Sequence, residues 1–549
     1  MFYLLKARRI PRYENTIREM GTGKYTIYIA AIAIGFFTGL ICVAFRYIVA
    51  IISSLRPLLF NHHNPITAHI AVFSAIFAAL FITGLLVEKF PKISGSGLPQ
   101  TQALLLGRRV YKNPFIYLIV KFIGGLLTLC SGLSLGREGT SVQMGSLTGY
   151  ITGNIIGIQK GKHHHLIASG AGAGISAAFT APLSSSILIM ESLQKVTITT
   201  TLICTLLAGG TAGIVAKLIT PFNIYNSINV ELPGNPQWQL IAIYLIMAAH
   251  FAFLGKTFST MLLKGKLIYS RRMRKKDSKK TVLLLKQALL LASATWITGM
   301  FFTDMIGGDQ TFLVKESIIN GIFKQYEQYT TNAKLLNCII LFAVIAIISA
   351  FTILSHASGY PGGIFMPMMT IGGLSGKLFY DIIHICAGED IVANGLSGYF
   401  ILIGMSAFFI AANRTPITGF ILISEMTGHY ETFFPTLIVG IMVYYLTQLM
   451  GVVPLNDLLY DFMIAHDAEQ QQRSVIYIDI ESGAYLCGKD SKNVRLPGGC
   501  RITEIIRNKK TIPAESGTLL AENDSIGIEV DSNEMEQLHR SIISLGTRP

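Results

Sequence analysis

The sequence predicts an all-α polytopic membrane protein of short, broken helices in two related halves, followed by a small cytosolic α/β (β-rich) C-terminal domain. Three observations lead there. The chain is rich in apolar residues and poor in charge, its apolar stretches are broken by glycine and proline at matching places, and its character changes after about Leu459.

Of the 549 residues, 51% are hydrophobic and only 14% are charged, and the mean hydropathy is +0.51. A soluble chain of this length cannot cover its surface with so few charges, so most of it sits in lipid. The opening MFYLLKARRIPRYENTIREM is basic, and the first long apolar run begins near Tyr25. That run reads as a retained span rather than a cleaved signal.

The formal net charge is +14. Lys6, Arg8, Arg9, Arg12, Arg18 and Lys24 precede the first span, and a second cluster from Lys264 to Lys280 separates two apolar stretches. Short basic segments beside spans stay cytoplasmic, which puts both clusters and the N-terminus in the cytosol. Juxtamembrane loops thus account for the charge without a nucleic-acid partner. The seven cysteines show irregular spacing and no CxxC pair, against a disulfide framework or a zinc site. No cofactor and no metal are expected. No GxSxG, HExxH or P-loop occurs, and the acids lie at lipid depth, which argues against an enzyme.

From Tyr25 to about Gly451 there are roughly fourteen to eighteen apolar stretches. A simple span needs about 20 apolar residues. Several stretches are shorter and are broken at GSGLP (95–99), GREGTSVQMG (136–145) and GYPGGIFMP (359–367). Broken helices leave amides unpaired and survive at membrane depth only when buried in protein or lining a polar path. A dozen fully spanning helices is the plainer alternative.

The halves correspond weakly. Gly136-Arg137-Glu138 and Gly145–Gly149 stand at a constant offset from Gly363-Ile364-Phe365 and Gly372–Gly376. Pro182, Ile187-Leu188-Ile189 and Glu191 likewise parallel Pro416, Ile421-Leu422-Ile423 and Glu425. Matching breaks predict inverted repeats with a binding site between them, and chance likeness of apolar stretches is the alternative. The expected organisation is a cytosolic segment 1–24, a transmembrane domain 25–460 with halves at about 25–220 and 236–460, and a cytosolic domain 466–549. In the last, alternating strands, glycine, proline and Asn-Asp turns and a short polar helix pattern suggest a β-rich fold.

A dehydrated anion inside a membrane needs hydrogen-bond donors, chiefly amides at helix starts, with little full positive charge. GSGLP and GGIFMP supply glycine turns followed by apolar residues whose amides can face an ion, and Ser96 adds a hydroxyl. Glu138 sits in a glycine-rich break, where a carboxylate is costly and is read first as functional. At a helix N-terminus it would be stabilised by the same amides that bind an anion. It would then hold the anion's place when ionised and leave it when protonated. A structural salt bridge with Arg137 is the alternative.

With GSGLP (95–99), GREGT (136–140) and GGIFMP (362–367) in order, and VKFIGG (120–125) and FTAPL (179–183) between them, residues 25–460 resemble the CLC chloride channels and chloride/proton antiporters. The resemblance implies CLC-type inverted repeats of short, broken, tilted helices, and a homodimer with one pathway per subunit in the cell (inner or plasma) membrane. It implies that Ser96, Gly97, Arg137, Gly139, Gly363, Ile364, Phe365 and Asn456 surround a chloride ion. Glu138 would be the gating glutamate and proton acceptor on the extracellular side. Lys121 matches the family's buried lysine near the pathway; a snorkelling lysine is the alternative. Thr140 follows a known variant of the motif in which proline is commoner.

Four positions depart from the family pattern. Ser192 stands where antiporters place an internal proton-transfer glutamate, and serine does not titrate in the working range. Neighbouring Glu191 is either its substitute, about 100° away around a helix, or a structural carboxylate. Asn456 stands where the central-site tyrosine is expected; it offers an amide donor or caps a helix, and Tyr460 replaces it if the alignment slips by four. Gln100 and Gln102 stand where acids are common. The implied activity is chloride/proton antiport, with a passive chloride channel and a fluoride/proton antiporter as alternatives. The tail RLPGGCRITEIIRNKKTIPAESGTLLAENDSIGIEV is similar to the TrkA-C (RCK-C) type of regulatory subdomain. That implies an unidentified small ligand, with a passive appendage as the alternative. HHH (163–165) is read as a polar loop rather than a metal site.

Overall fold

The computed structural model describes residues 11–59, 66–108, 111–158, 162–195, 199–219, 230–233, 238–274, 280–301, 331–387, 395–468, 473–480, 483–492, 494, 496–507, 510–514, 517–531 and 545–546. Its first half contains α1 (Pro11–Leu59), α2 (Ile66–Lys89), α3 (Leu98–Leu105), α4 (Pro114–Cys130), α5 (Glu138–Ile156), α6 (His163–Phe179), α7 (Pro182–Leu188) and α8 (Thr199–Ile219). A π-helical turn, Ile189–Gln194, follows α7. The second half contains α9 (Trp238–Arg274), α10 (Lys280–Phe301), α11 (Thr331–Ala357), α12 (Phe365–Ala387), α13 (Ser397–Asn413), α14 (Pro416–Thr427), α15 (Phe433–Leu449) and α16 (Leu455–Ala468).

Among the described residues, seven helical stretches are long and apolar enough to cross a membrane. Others are not: α3 has 8 residues, α7 has 7 and α14 has 12. At 1.5 Å per residue none of the three reaches across a hydrocarbon core about 30 Å thick. The short helices start where the sequence says they should. Proline occupies the first turn of α3, α4, α7 and α14, where its missing N–H is no loss. The second basic cluster ends α9 and begins α10; its residues 275–279, like Lys6, Arg8 and Arg9, lie outside the described residues.

The two halves are related by packing as well as by sequence. Added Cβ atoms on Gly145 and Gly149 would strike the carbonyls of Gly170 and Leu166, where α5 crosses α6. Their counterparts Gly372 and Gly376 would strike the carbonyls of Gly404 and Phe400, where α12 crosses α13. Both α6 and α13 end in a left-handed residue, Thr180 and Arg414. The reciprocal capping of α7 and α14 gives the direction. Glu191, just beyond α7, accepts from the amides of Ile417 and Thr418 at 3.2 and 2.9 Å. Glu425, near the end of α14, accepts from those of Leu183 and Ser184 at 3.0 and 2.8 Å. Each helix starts at the other's end, so the pair is antiparallel and the repeats are inverted.

The tail is a four-stranded antiparallel sheet, ordered β1 (Arg473–Asp479), β4 (Ser525–Asp531), β2 (Arg501–Arg507), β3 (Lys510–Pro513). Ile526, Ile528 and Val530 alternate into its small core with Ile505 and Leu486, the period-2 pattern of a sheet with one buried face. The polar helix expected near the C-terminus falls largely on residues 532–544, outside the described residues.

Candidate anion site

Three chain breaks meet between the repeats. Gly136 and Gly363 donate to each other's carbonyls at 2.8 and 2.6 Å. Gly95 donates to the Gly359 carbonyl and accepts from the Gly362 amide, both at 3.2 Å. The starts of α3, α5 and α12 are thereby held together, and their exposed amides make a region of positive potential without a full charge. The glycines permit this. Gly97 has φ 92°, and a side chain there would run into the Gly139 carbonyl. A Cβ on Gly363 would lie 2.6 Å from Glu138 Oε1 and 2.8 Å from the Gly139 nitrogen.

Glu138 is fully buried in this cradle. Its Oε1 accepts from the amide of Met366, in the first turn of α12, at 3.0 Å. The carboxylate therefore sits where a helix start in one repeat points across to the other. Ser96, beside it through the contact of its carbonyl with Gly139, is 2% exposed. Its hydroxyl has no hydrogen-bond partner among the described residues. A buried donor left without an acceptor is costly, about 1–3 kcal/mol, and suits an anion as its missing partner. Ile364 and Phe365 are fully buried, the latter edge-on to Phe409 at 4.9 Å between centroids.

Arg137 is also buried, and its Nη2 donates to the Ala178 carbonyl near the end of α6 at 2.9 Å. Lys121 is fully buried and does not snorkel. Its ammonium donates to the carbonyls of Ile93 and Gly95 at 2.8 and 2.9 Å, fixing the backbone of the first break. Gln100 Nε2 reaches the Ser94 carbonyl of the same loop, and Gln102 is buried. Glu191 accepts from two α14 amides and from Thr418 Oγ1 at 2.7 Å, which is a capping arrangement. Asn456 lies inside the first turn of α16, and its Nδ2 donates to Ser192 Oγ at 2.9 Å. Two of the departures from the family pattern, Asn456 and Ser192, thus touch. Tyr460, one turn further on, is buried with the Arg108 guanidinium 5.6 Å from its ring centre.

The amide of Met366 is the group that sequence reasoning passed over; the residue after GGIF falls in the first helical turn, which was the available signal. His163 and His165 bond to the Ile158 carbonyl and Thr201 Oγ1. No three metal-ligating side chains cluster among the described residues.

Comparisons with known proteins agree with this fold. The voltage gated chloride channel family model matches residues 78–448, and the TrkA-C domain model matches 475–542. The H(+)/Cl(-) exchange transporter ClcA of Citrobacter koseri is 30% identical over 82% of this chain and 91% of its own. That of Salmonella gallinarum is 29% identical over 86% and 96%. The crystal structure of a slow cyanobacterial Cl-/H+ antiporter superposes with a TM-score of 0.69 at 25% identity, covering 80% of this chain and 98% of that one. A multi-pass helical chain with inverted repeats, three glycine breaks meeting around a buried carboxylate, and a matched family model over most of its length belongs to the voltage gated chloride channel (CLC) family, with a TrkA-C domain at its C-terminal end.

Proposed function

We propose that this protein exchanges chloride for protons across the cell (inner or plasma) membrane, with Glu138 as the gating and proton-accepting carboxylate. One observation carries the reading. The Glu138 carboxylate occupies an α12 amide within a cradle where the Ser96 hydroxyl lacks a protein acceptor. An ionised carboxylate and a halide compete for such donors, and protonation removes the competitor's charge. Proton uptake and anion binding thus alternate at one place. The names of the ClcA relatives and of the cyanobacterial antiporter support the same exchange.

In this reading the chloride contacts Ser96 and the backbone around Gly97, Gly139, Gly363, Ile364 and Phe365, with Arg137 and Asn456 at its margin. Lys121 shapes the cradle, while Glu191 and Ser192 modulate it. Segment 1–24 and domain 466–549 are cytosolic, flanking a transmembrane domain 25–460 that works as a homodimer in lipid. The tail domain receives a small regulatory ligand.

A passive chloride channel is the second reading, favoured by Ser192, which bonds Asn456 and offers no titratable group. Reconstitution in liposomes with an imposed chloride gradient decides, with chloride and pH recorded together. Uphill proton movement establishes exchange; chloride flux without it leaves a channel.

A further inference from the structure

Three basic side chains gather around the first break without a carboxylate. His356, in the last turn of α11, is fully buried, and neither ring nitrogen has a hydrogen-bond partner among the described residues. In either tautomer a neutral imidazole presents one N–H donor, so a buried donor here lacks its acceptor. Lys266 on α9 and Lys121 on α4 both lie within electrostatic reach of that ring. The helices meet closely at this level: a Cβ on Gly265 would stand 3.2 Å from Ala357 Cβ. The Lys266 ammonium is 3.8 Å from the place a Gly95 Cβ would take, and Lys121 donates to the Gly95 carbonyl at 2.9 Å. Two ammonium groups thus flank one residue of the break. Lys121 is directed at two carbonyls. Lys266 has no hydrogen-bond acceptor among the described residues, and the Phe462 ring centre lies 5.9 Å away. Among the described residues no carboxylate pairs with either lysine. Like charges drawn out of water, beside a donor with no acceptor, are stabilised by an anion.

We propose that Lys266 and His356 hold a second small inorganic anion, of halide size, that is bound and not transported. The anion accepts from the Lys266 ammonium and the His356 N–H, and it screens the two ammonium groups from each other across Gly95. Lys266 is half-buried and stands about two turns before the basic end of α9, so an ion can enter from that side. The cradle around Glu138 offers amide dipoles, from which an ion can leave. This site offers a full charge and a buried donor from the side chains of α9 and α11, and holds its ion longer. The inference goes beyond the exchange reading and does not depend on it.

The test uses the full-length protein. Bromide replaces chloride and scatters X-rays anomalously, so crystals grown in bromide show where the ion sits. A peak in contact with both Lys266 Nζ and the His356 ring is expected. Chloride titrated calorimetrically in detergent should reveal two classes of site. Lys266→Met removes the charge and keeps most of the volume, and His356→Phe removes both nitrogens and keeps a ring. Each should weaken one class roughly tenfold, the worth of one hydrogen bond to a charged group, and leave the other. In chloride-free buffer Lys266→Met should melt no lower than the unaltered protein, since it removes an uncompensated charge, while the rise in Tm that chloride gives should shrink. If one variant is not monodisperse, the other serves. A missing bromide peak, unchanged chloride binding in a folded variant, or loss of both classes at once in Lys266→Met each overturn the inference. Ser96→Ala should weaken only the class that Lys266→Met leaves intact. Its failure to do so counts against the cradle and not against this site.

Discussion

The Glu138 carboxylate accepts a 3.0 Å hydrogen bond from the Met366 amide, joining two residues from opposite repeats. A buried carboxylate at a helix start is stabilised there only while it is ionised. Glu138→Gln removes the charge and the proton acceptor together. Chloride flux is expected to persist, to lose its pH dependence, and to move no protons uphill. Proton-coupled flux in that variant, measured in liposomes, excludes Glu138 as the proton acceptor.

The closeness of the breaks makes a second prediction. With a Cβ 2.6 Å from Glu138 Oε1, Gly363→Ala has no room for both its methyl and the carboxylate. Chloride flux should fall at least tenfold, with a stability loss of about 1–3 kcal/mol. Normal flux in this variant means that the cradle is wider than described.

Glu191 offers a cleaner contrast. Its carboxylate caps α14 just as Glu425 caps α7. Glu191→Gln and Glu425→Gln should each lower thermal stability by about 1–2 kcal/mol, the worth of a helix cap. Chloride-to-proton stoichiometry should stay unchanged in both. Loss of coupling in Glu191→Gln with normal stability would make Glu191 the internal proton carrier after all.

Lys121→Met removes the donor that holds the Ile93 and Gly95 carbonyls. An expected loss of about 2–3 kcal/mol follows from leaving buried carbonyls short of a partner. Chloride affinity should weaken as well, because the loop carrying Ser96 is no longer fixed. A variant with full chloride affinity in calorimetry would separate Lys121 from the site.

In the tail, Asp524 is buried and accepts from Arg507 Nε and Nη2 at 2.8 and 2.7 Å and from the Ala521 amide at 2.7 Å. The carboxylate beside Arg507 raises that guanidinium above its ordinary pKa. A raised cation contributes at every pH below its unfolded value and is lost only in strong alkali. Asp524→Ala should therefore speed amide hydrogen exchange in β2 and β4 of the full-length chain at neutral pH. Unchanged exchange would mean that the pair does not hold the sheet together.

The membrane class, the three breaks, the repeat pattern and the change of character near Leu459 were legible in the sequence alone. Apolar content, glycine and proline are local signals, and a carboxylate such as Glu138 amid apolar stretches announces itself by its desolvation cost. Which groups meet was decided only by the tertiary structure. Glu138 finds Met366, Glu191 finds Thr418 and Asn456 finds Ser192, each across more than two hundred residues. A sequence can say that a buried polar group must be partnered. The partner depends on how helices from inverted repeats pack, since hydrogen bonds are directional and reach only about 3 Å. That is why Glu191 and Ser192, adjacent in the chain, have different partners: one caps a helix in the opposite repeat, and the other bonds Asn456 at the start of α16.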